Sequence, residues 1–417
     1  MEYKSRIIEG ELAEKMQASG AVLIRGAKAC GKTETAMHKS NSILRVDQDE
    51  NVPLLLNSDP KLLIEGKTPR LIDEWQLQPK LWNYIRNEVD ARKQAAQFIL
   101  TGSATPKDDE RLHSGAGRFT TVNMRTMSWQ ELGHSTGEVS LAKLFEGEAV
   151  AYNDFQLNLE IITERIIIGG FPALLDASVK KAILINEAYI DLIAEVDMSR
   201  VSNVKRDPVK VKNILKSLAR NIATIADKKT LEKDLNEFEN TEISRPTLND
   251  YLDALTRLMI IEDQPAWNPH IRSSESLRKT PKHHLTDVSL AVAALGLDKK
   301  ALLNDVKYLG FLFESMATHD LRVYAQANDA AVYYYRDSSE LEVDAIVQKR
   351  NGDWAAFEIK LGIGQIDDAA KNLLKFASVV DTTKTKEPKS LNIITGTGMS
   401  YHRNDGINVI SLAALGR

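Results

Sequence analysis

Two groups of residues in this 417-residue chain have types and spacing suited to phosphate chemistry. The first is Gly26-Ala27-Lys28-Ala29-Cys30-Gly31-Lys32-Thr33, which fits G-x-x-x-x-G-K-[ST] at every fixed position. Such a loop wraps backbone N–H groups around a row of phosphates, and the following helix adds its positive end. Lys32 is then the ammonium that reaches the β- and γ-phosphates, and the Thr33 hydroxyl is a magnesium ligand. Gly26 and Gly31 are expected to supply backbone angles closed to other residues. Cys30 reads as a small filler. Downstream, the apolar Leu71-Ile72 leads into Asp73-Glu74. Asp73 is expected to hold magnesium directly or through water, and Glu74 to orient and polarise an attacking water. A third run, Phe98 to Ser103, sets the hydroxyls of Thr101 and Ser103 where they could touch the γ-phosphate or that water. Gly115-Ala116-Gly117-Arg118 offers Arg118 as the cation that stabilises a transferred phosphoryl group, with Arg125 as the second candidate.

The second group lies near the C-terminus. Asp344 in LEVDAIVQ and Glu358-x-Lys360 in DWAAFEIK face one another across a predicted hairpin with a turn at Asn351-Gly352. Glu342 shares the face of Asp344, because side chains alternate along a strand. Glu314, on a preceding helix, and Gln365, just after the second strand, are further candidates. Two carboxylates on neighbouring strands can clamp magnesium, so Asp344, Glu358 and Glu314 are the predicted ligands. Lys360 faces the same place and would ease hydroxide formation or steady a scissile phosphate. The competing expectation is that these charges merely pair with each other.

Elements to position these residues are legible around them. Ala21 to Arg25 is a short apolar run between glycines, as expected of a buried parallel strand, and ETAMHKS reads as the helix after the loop. Pro69 limits the strand before Asp73. Residues 151 to 205 read as mostly helical, broken by Gly169-Gly170-Phe171-Pro172. Then come VKNILKSLARNIATIA, KTLEKDLNEF and SRPTLNDYLDALTRL. The last has Ser244 as its cap, Pro246 in its first turn and Leu248, Leu252, Leu255 and Leu258 as its apolar stripe. Three helices and the strand MIIED predict a winged helix-turn-helix. Between 200 and 285 there are 16 Lys/Arg and 12 Asp/Glu, a mildly basic balance. The predicted recognition helix carries Asp250 and Asp253, which suits a packing or regulatory module better than a DNA reader.

The order of RGAKACGKT, LIDEWQ, FILTGS, GRF and GGFP resembles a widespread bacterial and archaeal family of AAA-type ATPases, related to the signal-transduction ATPases. The resemblance covers nearly the whole chain. It implies ATP as the nucleotide, nucleotide roles for Lys32, Thr33, Asp73 and Glu74, and a sensor at Thr101 or Ser103. It also implies a C-terminal domain of unknown function similar to PD-(D/E)XK, restriction-endonuclease-like proteins. The family usually has proline where this chain has Met127. The residues alone do not choose ATP over GTP, although no Asn-Lys-x-Asp motif follows the second strand.

The expected architecture is therefore a multidomain α/β chain. Residues 1–150 form a P-loop ATPase domain, 151–205 a helical linker or lid, 206–300 a winged helix and 301–417 a nuclease-like domain. The function expected is ATP binding and hydrolysis that controls the last domain, acting on DNA or another nucleic acid. The alternatives are a nucleotide-dependent switch that recruits a protein partner, with the nuclease-like site inert, and a winged-helix DNA-binding regulator. An arginine acting in trans would require a homo-oligomer. A net charge of −4 gives no global attraction to nucleic acid or anionic membranes. One cysteine, a charged N-terminus and no long apolar run fit a cytoplasmic protein without a membrane span.

Overall fold

The computed structural model describes residues 3–102, 114–155, 157–201, 204–268 and 280–417. Ser103 lies outside the described residues. The chain divides into two compact units. One comprises Met1–Thr126 with Glu195–Arg206 and Leu252–Ile260; the other comprises Met127–Ala194, Asp207–Tyr251 and Ile261–Arg417.

The first unit is built on five parallel strands: β1 (Ala21–Arg25), β2 (Ser42–Arg45), β3 (Arg70–Asp73), β4 (Phe98–Gly102) and β5 (Phe119–Asn123). Their order across the sheet is β2-β3-β4-β1-β5. Helices α1 (Glu9–Ala18), α2 (Lys32–Met37), α3 (Val52–Ser58), α4 (Lys61–Ile64) and α5 (Leu81–Arg92) connect and flank them. Side chains alternate between two apolar layers. Ala21 and Leu23 join Ile72, Phe98 and Leu100 on one face, while Val22 and Ile24 join Leu71, Ile99 and Val122 on the other. A parallel sheet covered on both faces must be apolar on both, which is why AVLIR and FILTG read as unbroken runs. Because every strand runs the same way, the ends of β1, β3 and β4 share one edge.

The second unit begins at Met127, and two short strands hold this stretch against later residues. β6 (Val139–Ser140) pairs with β14 (Leu415–Gly416), and β7 (Asn153–Asp154) pairs with β12 (Met399–His402). Residues 127–150 are thus tied to the end of the chain. Helices α6 (Trp129–Leu132), α7 (Leu141–Leu144), α8 (Leu159–Ile168) and α9 (Val179–Leu192) follow, and α10 (Met198–Arg200) belongs to the first unit. Next are α11 (Pro208–Arg220), α12 (Lys228–Glu239), α13 (Arg245–Arg257), α14 (Ser289–Leu295) and α15 (Lys299–Asn304). Side-chain oxygens cap many of these: Asn158, Ser178, Asp207, Asp227 and Asp298 each accept a backbone N–H of the first turn.

Three helices followed by bridged segments, Ile261 to Leu285 and Gln264 to Lys282, give the order anticipated for a winged helix. From Leu252 to Ile260 the chain, including the end of α13, groups with the first unit. The predicted stripe of α13 is buried at Leu248, Leu255 and Leu258, together with Tyr251 and Ala254. Its exposed residues include Asn249, Asp250 and Asp253, and its exposed Arg245 is paired with Glu232, so the face is not cationic overall.

The C-terminal part has α16 (Val306–Gln326), β8 (Ala330–Arg336), β9 (Glu342–Lys349), β10 (Trp354–Lys360), α17 (Ile366–Val379), β11 (Leu391–Thr395) and β13 (Asn408–Ser411). The sheet order is β7-β12-β13-β11-β10-β9-β8. The β8-β9-β10 meander is antiparallel, and β11 joins β10 in parallel. The meander packs against α16, while α17 covers β9, β10 and β11. Trp267, Trp354, Phe376 and Tyr335 form an aromatic cluster under α17.

Candidate functional sites

In the first unit the phosphate loop starts where β1 ends. Gly31 takes φ +104°, a left-handed conformation, and caps α2. Gly26 is required for a different reason than expected. It is not a left-handed residue; a Cβ there would lie 2.1 Å from the Met124 carbonyl oxygen, so only glycine lets the loop run against the end of β5. The other left-handed loop residue is Ala29, at φ +62°. Cys30 is buried beneath the loop, its Sγ 3.6 Å from the same Met124 oxygen. Arg6, which carried no signal in the sequence, is buried and donates to the carbonyls of Cys30 and Arg125, each at 2.9 Å. Lys32 is also buried, and its ammonium donates to the carbonyls of Gly26 and Ala27 at 3.0 and 2.8 Å.

Asp73 is the meeting point. β4 lies between β1 and β3, and Thr101 is the register partner of Asp73. Asp73 Oδ1 accepts from Thr33 Oγ1 at 2.8 Å and from Thr101 Oγ1 at 2.5 Å. Hydroxyl and carboxylate oxygens gathered at the phosphate loop form a hard donor set suited to magnesium. Glu74 leaves the strand in a left-handed conformation, φ +55°, and its carboxylate accepts from Gln76 Nε2. Burial pushes the Glu74 carboxyl up, and Asp73 and Asp47 add to this; Gln76 and Lys32 act the other way. Gln76 in turn stands against Gly102, where a Cβ would meet its Oε1 at 2.3 Å.

The two candidate arginines flank the edge strand β5, at its opposite ends. Arg118 precedes β5, where its carbonyl accepts from the Ala21 N–H at the start of β1. Its exposed guanidinium pairs with Asp90 at 2.9 Å. A five-residue strand of roughly 16 Å separates that end from the phosphate loop, so Arg118 does not reach its own chain's loop. Arg125 follows β5 on the loop's side. Lys28, a loop residue, is ion-paired with Asp197 at 3.3 Å, and Asp197 ends the π-helical turn Ile193–Asp197.

In the second unit the structure brings Glu314, Asp344, Glu358 and Lys360 together. Lys360 Nζ lies 3.0 Å from Asp344 Oδ2 and 2.5 Å from Glu358 Oε2. The Ile359 N–H also donates to Asp344, and Asn372 Nδ2 to Glu358. Gln365 is exposed on the turn after β10 and is not part of this group. The residue the sequence did not reveal is Lys282. Its side chain is 2% exposed, and its ammonium is 2.7 Å from Glu314, 2.8 Å from Glu342 and 3.7 Å from Asp344. Burial drives Glu358 up to about 8 and Glu314 up to about 7, each helped by the charge of Asp344. Asp344 itself is held at about 2, because Lys360, Lys282 and the Ile359 N–H outweigh its burial. Lys282 and Lys360 both stay firmly charged; the carboxylates around them overcome desolvation.

Among the described residues no group of three or more His, Cys, Asp or Glu side chains is arranged to hold a metal ion. Glu314 and Asp344 lie against the Lys282 ammonium, and Asp344 and Glu358 against that of Lys360.

The GGFP turn has a packing role. Gly169, at φ +75°, faces Asp287 and Ser289; Gly170 donates to Asp287 at 2.8 Å and accepts from the Met127 N–H at 2.7 Å. A proline at 127 would lack that donor.

Residues 18–133 match the model of an AAA domain. Residues 159–301 and 309–415 match two domains of unknown function, DUF8612 and DUF4143. Uncharacterized proteins of Mycobacterium tuberculosis and Mycobacterium bovis are each 25% identical over 366 residues, spanning 86% of this chain and 74% of theirs. A solved structure, a Walker-type ATPase of Pyrococcus abyssi, is 12% identical with a TM-score of 0.41, covering 70% of this chain and 98% of its own. The AAA match begins at the threshold of β1 and ends after β5, so it contains the phosphate loop, Asp73, Glu74 and Thr101. Among the described residues no helix is long and apolar enough to cross a membrane.

Proposed function

We propose that the first unit binds ATP with magnesium and hydrolyses it. The observation that carries this reading is the convergence of Thr33 and Thr101 on one oxygen of Asp73, beside a phosphate loop whose lysine is buried. Magnesium held by Thr33 and Asp73 would neutralise charge on the β- and γ-phosphates. Lys32 binds the same phosphates, Glu74 orients and deprotonates the attacking water, and Thr101 keeps Asp73 aligned. Arg125 stands on the edge where the phosphoryl group transfers; Arg118 acts only on a neighbouring chain's nucleotide, if the chain assembles. ATP turnover by the purified chain, lost in Lys32→Ala, is the expected result. Unaltered turnover in that variant removes the assignment.

The C-terminal part is proposed to be the element that hydrolysis controls. A helix, three antiparallel strands, a helix and a parallel strand, in that order, support the nuclease-like reading of its fold. Two functions compete for it: metal-dependent cleavage of nucleic acid, and recruitment of a partner by an inert site. The ion pairs of Lys282, which the nuclease reading does not call for, favour the second. Plasmid incubated with Mg²⁺ or Mn²⁺, with and without ATP, is expected to remain intact. Cutting that disappears in Glu358→Ala would restore the nuclease reading.

A further inference from the structure

We propose that Lys282 is a resident cation of the second unit: its ammonium, wedged among Glu314, Glu342 and Asp344, takes the place a divalent ion would need, and keeps the carboxylate cluster closed to metal. The inference deepens the partner-recruiting reading of the C-terminal part and rests on it.

Three observations build the case. The first is delivery. Lys282 is not a surface lysine that happens to fold inward. Its backbone exchanges two hydrogen bonds with Gln264, at 2.8 and 3.0 Å, and the Gln264 side chain donates to the Asp344 carbonyl at 2.9 Å. The ladder that carries Lys282 is thereby fastened to the strand that carries Asp344. Its neighbours are fastened too: His284 bonds Ser315 and Gln264, and Ser315 is the next residue after Glu314.

The second is saturation. Glu314 Oε1 accepts from Lys282, Asp344 Oδ2 from Lys360 and the Ile359 N–H, and the two Glu358 oxygens from Lys360 and Asn372. A magnesium ion needs about six oxygens near 2.1 Å, several of them from charged ligands with free lone pairs. Here those oxygens already accept from N–H donors, and Asp344 Oδ1 lies 3.7 Å from the Lys282 ammonium.

The third is charge. Glu314, Glu342, Asp344 and Glu358 surround two ammonium groups, and the Arg336 guanidinium stands 3.9 Å from Glu342. Bringing a divalent ion into contact with Lys282 and Lys360 would set like charges against each other in a buried place, where repulsion is least screened. Removing Lys282 reverses the balance, leaving the cluster one positive charge poorer and the space its ammonium fills open to an ion.

The test is Mn²⁺ binding by the full chain without nucleotide, followed by the electron-spin resonance of free Mn²⁺. Wild type, Glu358→Gln, Lys282→Met and Lys282→Met/Glu314→Gln are compared, with thermal melts to check that each is folded. Wild type and Glu358→Gln are expected to bind alike, with no ion at the cluster. Lys282→Met should gain one ion at least about tenfold tighter than any in wild type, and the double variant should lose it. A wild-type ion that vanishes in Glu358→Gln overturns the proposal, and so does a folded Lys282→Met that gains nothing. Should Lys282→Met fail to fold, the wild-type and Glu358→Gln titrations still decide the question. Plasmid cutting speaks separately to the partner-recruiting reading. Cutting without an ion at the cluster would sink that reading while leaving the role of Lys282 intact.

Discussion

Lys28, in the phosphate loop, is ion-paired with Asp197, 169 residues further along the chain. The lysine is half-exposed while the aspartate is nearly buried, so the pair is worth roughly 0.2–1 kcal/mol. Lys28 lies between Gly26 and Gly31 in the loop proposed to bind phosphates, so a bound nucleotide would compete with Asp197 for it. Asp197→Ala is expected to tighten ATP binding, by up to roughly fivefold. A fluorescent-nucleotide titration checks this. Weaker binding in the variant would mean that Asp197 shapes the loop and does not compete with the nucleotide.

Gln76 is the next test. It donates to Glu74 and thereby favours the charged carboxylate, against the burial that raises its pKa. A general base must be deprotonated to take a proton from water. Gln76→Ala removes a contribution that lowers the Glu74 pKa, so the acidic limb of the kcat–pH profile should move to higher pH. The loss should be confined to the acidic limb, with KM nearly unchanged, and be smaller than the loss in Glu74→Gln, since general-base catalysis is worth about 10²–10⁴. A fall in kcat with an unmoved profile would reduce Gln76 to a structural role.

The two arginines make a sharper contrast. In dilute solution Arg118→Ala should hydrolyse ATP like wild type, because Arg118 sits at the edge of the sheet away from the loop. Arg125→Ala should be slower. Turnover measured across a dilution series, alongside light scattering, separates the cases. A loss in Arg118→Ala confined to concentrations where the chain assembles would assign it to a neighbour's nucleotide. A loss in the monomer contradicts the geometry.

Gly169→Ala probes the GGFP turn. The residue has φ +75°, and a Cβ would meet Asp287 Oδ1 at 2.3 Å and Ser289 Oγ at 2.4 Å. Backbone strain alone costs about 1–3 kcal/mol, and the collision also disturbs the carboxylate that accepts from Gly170 and Ser289. Urea unfolding should therefore begin earlier than in wild type. An unchanged transition would show that the turn relaxes freely.

What the sequence disclosed and what it withheld differ in range along the chain. A phosphate loop must wrap its ligand within eight consecutive residues, so its chemistry is written locally, and the strands that bring Asp73 and Thr101 to it are short apolar runs of fixed direction. The Asn351-Gly352 turn likewise placed Asp344 and Glu358 on adjoining strands. Lys282 had no such mark. Its partners are 32 to 62 residues away, and PKHH is neither amphipathic nor periodic. Arg6 and Asp197 were silent for the same reason. The boundary at Met127 rests on two-residue strands that pair with residues 399–400 and 415–416, a closure no local pattern announces. Gly26 was marked as essential, but for its backbone angle; the actual reason, a carbonyl from β5 pressed against it, exists only in three dimensions.

His283 gives a test by pH. Its Nδ1 lies 2.8 Å from Asp263 and its Nε2 2.7 Å from the Ala226 carbonyl. Burial pulls its pKa down, but the Asp263 carboxylate and the Ala226 carbonyl outweigh it, and the folded value is raised. A raised folded pKa means that the protonated ring is bound more tightly in the folded chain than in the unfolded one. The stabilisation is fully present below the unfolded value, about 6.5, and is lost as pH rises through the higher folded value. Thermal melts of wild type and His283→Gln at a series of pH values check this. The gap between them should be widest in the acid range and should narrow as pH rises. A gap that widens with pH would show that the neutral ring is the form the fold prefers.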